Sequence, residues 1–131
     1  MPEALFVYGT LMPGHLRWPM LEAHSISQRT TTVPGVLFDT GQGWPAAVFD
    51  AELAAGTDVP GWVVTLKTRG VADLIRALDD MEGVSTPAAP GDVFRRIRVT
   101  VAGRDTAWAY HAAEVPPGWV RIDAWTDQPE A

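Results

Sequence analysis

Short runs of hydrophobic residues, separated by polar and turn-forming residues, predict a protein built mainly from β-strands. The runs are rich in valine, threonine and aromatic residues, and glycine, proline and aspartate stand between them. This pattern is typical of strands and turns. Strands are predicted over 4–8, 30–39, 45–50, 61–67, 93–101 and 106–112. The residues Gly103-Arg104-Asp105 separate the last two strands and predict a hairpin.

One segment has the periodicity of an amphipathic helix. Its hydrophobic residues recur at helical spacing, and Gly83 follows as a stop signal, so a helix is predicted over Val71–Glu82. The hydrophobic face is formed by Val71, Leu74, Ile75 and Leu78. At about 100° per residue, Glu82 falls at the centre of this face. A shorter helix is predicted over 16–24, where Pro19 interrupts the pattern.

Glu82 is therefore a candidate catalytic residue. A buried carboxylate is costly unless it is paired or protonated, and the negative end of the helix dipole lies nearby. Both effects raise the pKa of a carboxyl group towards the range that a general base needs. In the alternative interpretation, the helix ends by Met81 and Glu82 turns out to solvent beside Gly83.

The turn that follows the first strand is a second candidate site. In Tyr8-Gly9-Thr10-Leu11 a strand ends in glycine, and such a turn can point successive backbone N–H groups towards one anion or oxyanion. The alternative interpretation is that Gly9 only reverses the chain, which is the usual use of glycine.

Composition indicates one globular domain. A chain of 131 residues and 14.2 kDa fits a single α+β domain over 1–131, with 113–131 as a C-terminal tail. The formal net charge of -6 disfavours binding to nucleic acid. No hydrophobic run approaches the roughly 20 residues of a membrane helix, and the N-terminus lacks the basic segment of a signal peptide. We therefore expect a cytoplasmic protein that binds neither nucleic acid nor membranes.

Several kinds of site are disfavoured by what the sequence lacks. It contains no cysteine, which excludes disulfides, thiolate nucleophiles and cysteine-ligated zinc. The three histidines follow no metal-binding spacing, so no metal site is expected. Residues 95–98 form a basic run in a predicted strand. The favoured interpretation is that this run lies on a face of the strand exposed to solvent. For Arg96, a structural role or a position near a binding pocket is left open.

The order of several motifs resembles the gamma-glutamylcyclotransferase-like family, also described as avirulence-induced-gene-like. The motifs are VYGTL, then PG, then GVLFDTGQGWPAAV, LDDMEG and FRRIRVTV. The resemblance extends from Leu5 to about Tyr110. It implies a small mixed β-barrel with one main helix and short flanking helices.

The resemblance also implies a reaction. Glu82 matches the acid/base glutamate of the family, Tyr8, Gly9, Thr10 and Leu11 match the loop that holds the γ-glutamyl group, and Tyr110 matches a tyrosine of the site. The implied activity is release of 5-oxoproline from a small γ-glutamyl amino acid, amine or peptide, without a cofactor.

Two departures from the family pattern leave alternatives open. Phe94 replaces a tyrosine, and the loop 15–18 has no firm alignment with the family pattern. The sequence therefore leaves the leaving group and the oligomeric state open. It also leaves a non-catalytic protein that binds a small metabolite in the same pocket as the alternative function.

Overall fold

The computed structural model describes residues 3–50, 54, 56–85, 89–101 and 106–126, together with the backbone of residue 105. In chain order the elements are β1 (Ala4–Val7), α1 (Pro19–Glu22), β2 (Ser25–Pro34), β3 (Val36–Asp39), β4 (Pro45–Val48), β5 (Asp58–Leu66), α2 (Val71–Glu82), β6 (Phe94–Val101), β7 (Asp105–Ala112) and β8 (Val120–Ile122).

The strands form two sheets, and the predicted α+β class is confirmed. One sheet has five strands in the order β2-β5-β1-β7-β6, and the other has three in the order β4-β3-β8. β1 is antiparallel to β5 and parallel to β7, with Leu5 opposite Trp108. β4 approaches β7, but no hydrogen-bonded ladder joins the two sheets within the described residues. The expected barrel is thus not closed.

The core lies around the central strand of the larger sheet. Leu5, Phe6 and Val7 of β1 are all buried because β5 and β7 flank them and the smaller sheet lies close to β7. A strand that is buried on both faces has a continuous run of hydrophobic residues, and β1 has such a run in the sequence. The turn that follows β1 therefore starts inside the protein rather than at its surface.

The predicted strand over 30–39 is two strands, which belong to different sheets. The change of sheet occurs at Gly35, where an added Cβ would lie 2.8 Å from the carbonyl oxygen of Val48. Only glycine allows so close an approach between the two chain segments. The first of the two strands, β2, also begins earlier than predicted, at Ser25.

The predicted helix has the predicted bounds, Val71–Glu82. Gly83 adopts a left-handed conformation with φ of 73°, and the N–H of Val84 donates to the carbonyl oxygen of Asp79 at 2.8 Å. These features are those of a glycine-terminated helix end. The helix thus includes Glu82, and the interpretation in which it ends by Met81 is wrong.

Part of the C-terminal segment joins the smaller sheet. β8 pairs with β3 in antiparallel fashion, with Leu37 opposite Ile122. The ring of Trp119, just before β8, packs on Phe38 and Trp44 at centroid distances of 6.2 and 6.5 Å. Across the described residues, no helix has the length and hydrophobicity needed to cross a membrane.

Candidate active site

A cleft with two adjoining compartments lies where the turn after β1 meets the start of β4 and the end of α2. The inner compartment has a volume of about 40 Å³ and the outer one about 190 Å³. Thr10, Trp44 and Glu82 line both compartments, so the two are parts of one site. The inner compartment is lined by Phe6, Val7, Tyr8, Gly9, Thr10, Leu11, Trp44, Pro45, Glu82 and Tyr110.

All six residues that the sequence analysis singled out line the inner compartment. They are Tyr8, Gly9, Thr10, Leu11, Glu82 and Tyr110. The turn and the helix end are separated by some 70 residues along the chain, yet the fold brings them to the two sides of one cavity.

Glu82 is half-buried beside the cleft. Within the described residues it accepts no hydrogen bond and forms no ion pair, although it lines both compartments. Burial raises the pKa of Glu82 from 4.5 to about 7, and the positive charge of Arg17 opposes part of this rise. A carboxyl group with such a pKa can both accept and donate a proton near neutral pH.

The turn after β1 carries backbone N–H groups that have no acceptor in the part of the chain that the structure describes. The N–H of Met12 donates to the carbonyl oxygen of Gly9 at 3.0 Å and closes the turn. By contrast, the N–H groups of Gly9, Thr10 and Leu11 donate to no acceptor among the described residues. Buried N–H groups without an acceptor are rare, and Thr10 and Leu11 are only 9% and 5% exposed. These three groups are therefore available to an anionic or polarised oxygen in the cleft.

Gly9 is required by the narrowness of the cleft. A Cβ at this position would lie 2.6 Å from Cγ and 2.9 Å from Cδ of Pro45, the first residue of β4. Such distances are well below van der Waals contact, so any side chain at Gly9 would push the turn and β4 apart. Gly9 thus sets the separation between two walls of the inner compartment.

Tyr8 and Tyr110 each donate their hydroxyl hydrogen to another group of the protein. The hydroxyl of Tyr8 donates to the carbonyl oxygen of Tyr110 at 2.6 Å, and the hydroxyl of Tyr110 donates to Oδ1 of Asp79 at 2.7 Å. Burial, followed by the Glu82 charge, raises the pKa of Tyr8. For Tyr110 the pKa is raised by burial, then by its hydrogen bond to Asp79. Both phenols are therefore neutral, and each hydroxyl oxygen can still accept a hydrogen bond.

Asp79 and Arg96 support this arrangement, and the sequence analysis did not identify their contact. Nε of Arg96 donates to Oδ1 of Asp79 at 2.9 Å, and Nη2 donates to Oδ2 at 3.2 Å. The two side chains are only 22% and 10% exposed. The prediction that the basic run lies on a solvent-exposed face is thus wrong for Arg96. Arg96 instead has a structural role, which was the alternative left open by the sequence.

The guanidinium of Arg96 is held on its other side by an aromatic ring. Its Cζ lies 4.2 Å from the ring centroid of Trp108, and Cζ of Arg98 lies 3.9 Å from the same ring. Cation–π contacts of this kind favour a fixed guanidinium. Arg96 therefore holds Asp79, and through it the hydroxyl of Tyr110, in one position.

The outer compartment has an apolar wall and one cation. Its lining residues, besides the three that it shares with the inner compartment, are Arg17, Met81, Val93 and Phe94. Phe94 packs on Trp44 at a centroid distance of 5.6 Å, so this wall is aromatic where the family resemblance implies a tyrosine hydroxyl. Arg17 and Glu82 are the charged residues among those that line the two compartments.

The loop that carries Arg17 is folded back on the turn. The N–H of Arg17 donates to the carbonyl oxygen of Thr10 at 2.7 Å, and the N–H of His15 donates to that of Met12 at 2.9 Å. The loop leads directly into α1, which starts at Pro19. This is the segment that could not be aligned with the family, and it forms one side of the outer compartment.

His111, another titratable residue, lies outside the cleft. His111 accepts a hydrogen bond at Nδ1 from the N–H of Phe49 at 3.0 Å, and burial lowers its pKa. It does not line either compartment. Among the described residues, no group of three or more histidine, aspartate or glutamate side chains is placed to hold a metal ion.

Comparison with protein families gives a match over most of the chain. The family model described as "Gamma-glutamyl cyclotransferase, AIG2-like" matches residues 5–127. The chain is also 28% identical over 109 residues to the gamma-L-glutamyl-butirosin B gamma-glutamyl cyclotransferase of Niallia circulans. This alignment covers 81% of the chain and 64% of the relative, so the chain spans less than two thirds of that protein's length.

Solved structures share the fold at low sequence identity. The crystal structure of an AIG2-like protein from Mus musculus has a TM-score of 0.70 and 18% identity, and covers 98% of this chain and 97% of that one. An uncharacterized protein from Pyrococcus horikoshii has a TM-score of 0.63 and 17% identity, with coverage of 92% and 86%. At these identities the likeness shows the fold alone.

Proposed function

The chain belongs to the gamma-glutamyl cyclotransferase, AIG2-like family, and on that premise we propose that it releases 5-oxoproline from a small γ-glutamyl compound. The observation that carries the proposal is the position of Glu82. Its carboxylate, unpaired among the described residues and with a pKa of about 7, lines the same narrow cavity as the three N–H groups of the turn after β1.

The reaction is an intramolecular transfer of an acyl group. The α-amino nitrogen of the γ-glutamyl group attacks its own γ-carbonyl carbon, and a C–N bond closes the five-membered ring. The bond between that carbon and the leaving nitrogen then breaks. One proton leaves the attacking amine and one is added to the leaving amine, so a single acid/base group can serve both steps.

Glu82 is the acid/base group in this proposal. In its charged form it takes the one proton that the neutral α-amine loses as its nitrogen becomes the amide N–H of the ring. In its protonated form it then donates that proton to the leaving nitrogen. A pKa of about 7 suits both roles, since neither protonation state is strongly favoured near neutral pH.

The turn after β1 supplies the stabilisation of the oxyanion. Attack on the γ-carbonyl places negative charge on its oxygen, and preorganised donors stabilise that charge in the transition state. The N–H groups of Gly9, Thr10 and Leu11 suit this role because they donate to no acceptor within the described residues. The close approach of Gly9 to Pro45, which leaves no room for a Cβ, places these donors beside β4.

The two tyrosines position the attacking amine. Each has used its hydroxyl hydrogen in a hydrogen bond to the protein, so each offers the substrate an acceptor and no donor. An amino group needs acceptors, whereas an oxyanion needs donors. Tyr8 and Tyr110 therefore suit the amino end of the γ-glutamyl group, and the turn suits its carbonyl end.

The direct test is the detection of 5-oxoproline by mass spectrometry. Wild-type protein is incubated with γ-glutamyl amino acids, γ-glutamylamines, and the isopeptide of glutamate and lysine. Glu82→Gln keeps the size and shape of the side chain and removes its basicity, so we expect product from wild type and none from the variant. Asp80→Asn is the matched control, because Asp80 is exposed on the same helix and does not line the cleft.

The outcomes separate the reaction from the assignment of the base. Equal product from wild type and Glu82→Gln would retain the reaction and reject Glu82 as its acid/base group. Absence of product from folded wild type, together with a higher melting temperature in the presence of a γ-glutamyl compound, would favour a non-catalytic binding protein instead.

A further inference from the structure

The outer compartment has a feature that the reaction at Glu82 does not use, namely the guanidinium of Arg17. The side chain of Arg17 is exposed and forms no hydrogen bond or ion pair among the described residues, although its backbone is fixed to Thr10. Its charge acts on Glu82, so the two groups lie near each other without a direct ion pair. All five donor hydrogens of the guanidinium remain available.

We propose that Arg17 binds the α-carboxylate of the leaving group, so that the preferred substrates are γ-glutamyl derivatives of α-amino acids with apolar side chains. The inference rests on the proposed cyclotransferase function. It identifies the outer compartment as the subsite for the leaving amine and Arg17 as the residue that determines its specificity.

Charge is the first argument. The leaving nitrogen must lie beside Glu82 to receive its proton, and the α-carboxylate of an amino acid is only two bonds away from that nitrogen. Two carboxylates at such a distance repel each other strongly unless a cation lies near both. Arg17 is the cation among the residues that line the compartment, and its planar fork suits a carboxylate.

The apolar wall is the second argument. Trp44, Met81, Val93 and Phe94 contribute the remaining surface of the compartment besides Thr10, Arg17 and Glu82. Val93 is 47% exposed, so burying this wall under an apolar side chain would remove hydrophobic surface from water. A volume of about 190 Å³, well above that of the inner compartment, provides the space.

The test uses two substrates that differ only in the carboxylate. γ-Glutamyl-leucine and γ-glutamyl-3-methylbutylamine have the same γ-glutamyl group and the same apolar branch. We expect wild type to prefer γ-glutamyl-leucine by at least about tenfold in kcat/KM, because a hydrogen bond to a charged group contributes on this order. Arg17→Gln should reduce the preference to within about twofold, mainly through the KM of γ-glutamyl-leucine.

Two further variants make the result specific. Arg69→Gln makes the same change of charge on an exposed residue that does not line the cleft, and should keep the wild-type preference. Arg17→Lys keeps the charge without the planar fork and should retain part of it. Since both substrates use the same base, a change in the pKa of Glu82 cancels in their ratio.

Each remaining outcome counts against the proposal in a distinguishable way. If wild type cleaves both substrates with equal kcat/KM, or if Arg17→Gln keeps the preference, the subsite proposal is rejected and the cyclotransferase function stands. If folded wild type forms 5-oxoproline from neither substrate nor from the wider panel, the proposed function and this inference are both rejected.

Discussion

Asp79 and Glu82 lie one turn apart on α2, and of these two carboxylates only Asp79 has a hydrogen-bond or ion-pair partner among the described residues. Asp79 accepts hydrogen bonds from Arg96 and from the hydroxyl of Tyr110. Glu82 accepts none among the described residues, and burial raises its pKa to about 7. Residues three positions apart lie on neighbouring parts of one helix face, so the same helix end carries one carboxylate held by hydrogen bonds and one that lines the cleft.

The first prediction concerns the pH dependence of activity. Glu82 must be charged to accept a proton, so kcat/KM should rise with pH around a midpoint of about 7 and level off above it. The measurement is the initial rate of 5-oxoproline formation from pH 5 to 9. An active enzyme with a flat profile across this range would reject Glu82 as the base.

Arg17 provides the control for this profile. Its positive charge lowers the pKa of Glu82, so Arg17→Gln should move the midpoint to higher pH. Arg69→Gln should leave the midpoint unchanged, because Arg69 lies outside the cleft. An equal displacement in both variants would indicate an effect of net charge rather than a local one.

The second prediction concerns stability. The pKa of Glu82 is raised from 4.5 to about 7 on folding, so between these values the folded state binds more protons than the unfolded state. Stability contributed by this group is therefore present at low pH and is lost as pH rises through about 7. At 1.36 kcal/mol per pKa unit, the loss amounts to at most about 3 kcal/mol.

Glu82→Gln should remove this loss and stabilise the protein at pH 8. The difference in unfolding free energy between variant and wild type, measured by urea denaturation, should grow between pH 5 and 8 in favour of the variant. Comparison of the two proteins cancels the opposing contribution of His111, whose pKa is lowered by burial. A difference that does not change with pH would contradict the raised pKa of Glu82.

The third prediction concerns the buried ion pair. Asp79→Asn leaves the guanidinium of Arg96 without its counter-charge in a site where the Arg96 side chain is 22% exposed. Breaking one side of such a pair should cost about 3 kcal/mol in unfolding free energy. Asp73→Asn breaks the exposed pair with Arg76 on the same helix and should cost less than about 0.5 kcal/mol. Similar losses in the two variants would show that Asp79 is not the structural carboxylate of this site.

Local patterns in the sequence predicted the helix and the position of Glu82 on its inward face, because both depend on spacing within one segment. The apolar face of α2 and the stop at Gly83 are visible in twelve consecutive residues and their neighbour. By contrast, β8 has only three residues and two of them are exposed. Its pairing with β3 is a tertiary contact, and no local alternation predicts it.

The contact between Asp79 and Arg96, which the sequence did not predict, also depends on tertiary structure. Asp79 lies at the edge of the apolar face of α2, and Arg96 lies in the basic run 95–98 of β6, so each alone is typical of a surface position. Their pairing follows from the approach of α2 to β6 and the stacking of Arg96 on Trp108. The split of the predicted strand at Gly35 has the same origin, since most of β2 is exposed and its sequence shows no boundary between sheets.

The last prediction concerns the width of the inner compartment. Gly9→Ala would place a Cβ 2.6 Å from Cγ of Pro45, so the turn and β4 must separate for the variant to fold. Overpacking of this kind should cost about 1–3 kcal/mol of stability. Displacement of the N–H donors by as little as about 1 Å should reduce kcat on the order of a hundredfold.

Gly91→Ala is the matched control, because a Cβ there meets nothing within 4 Å, and it should change neither kcat nor stability appreciably. Wild-type kcat in a folded Gly9→Ala variant would mean that the spacing between the turn and β4 does not position the reacting carbonyl.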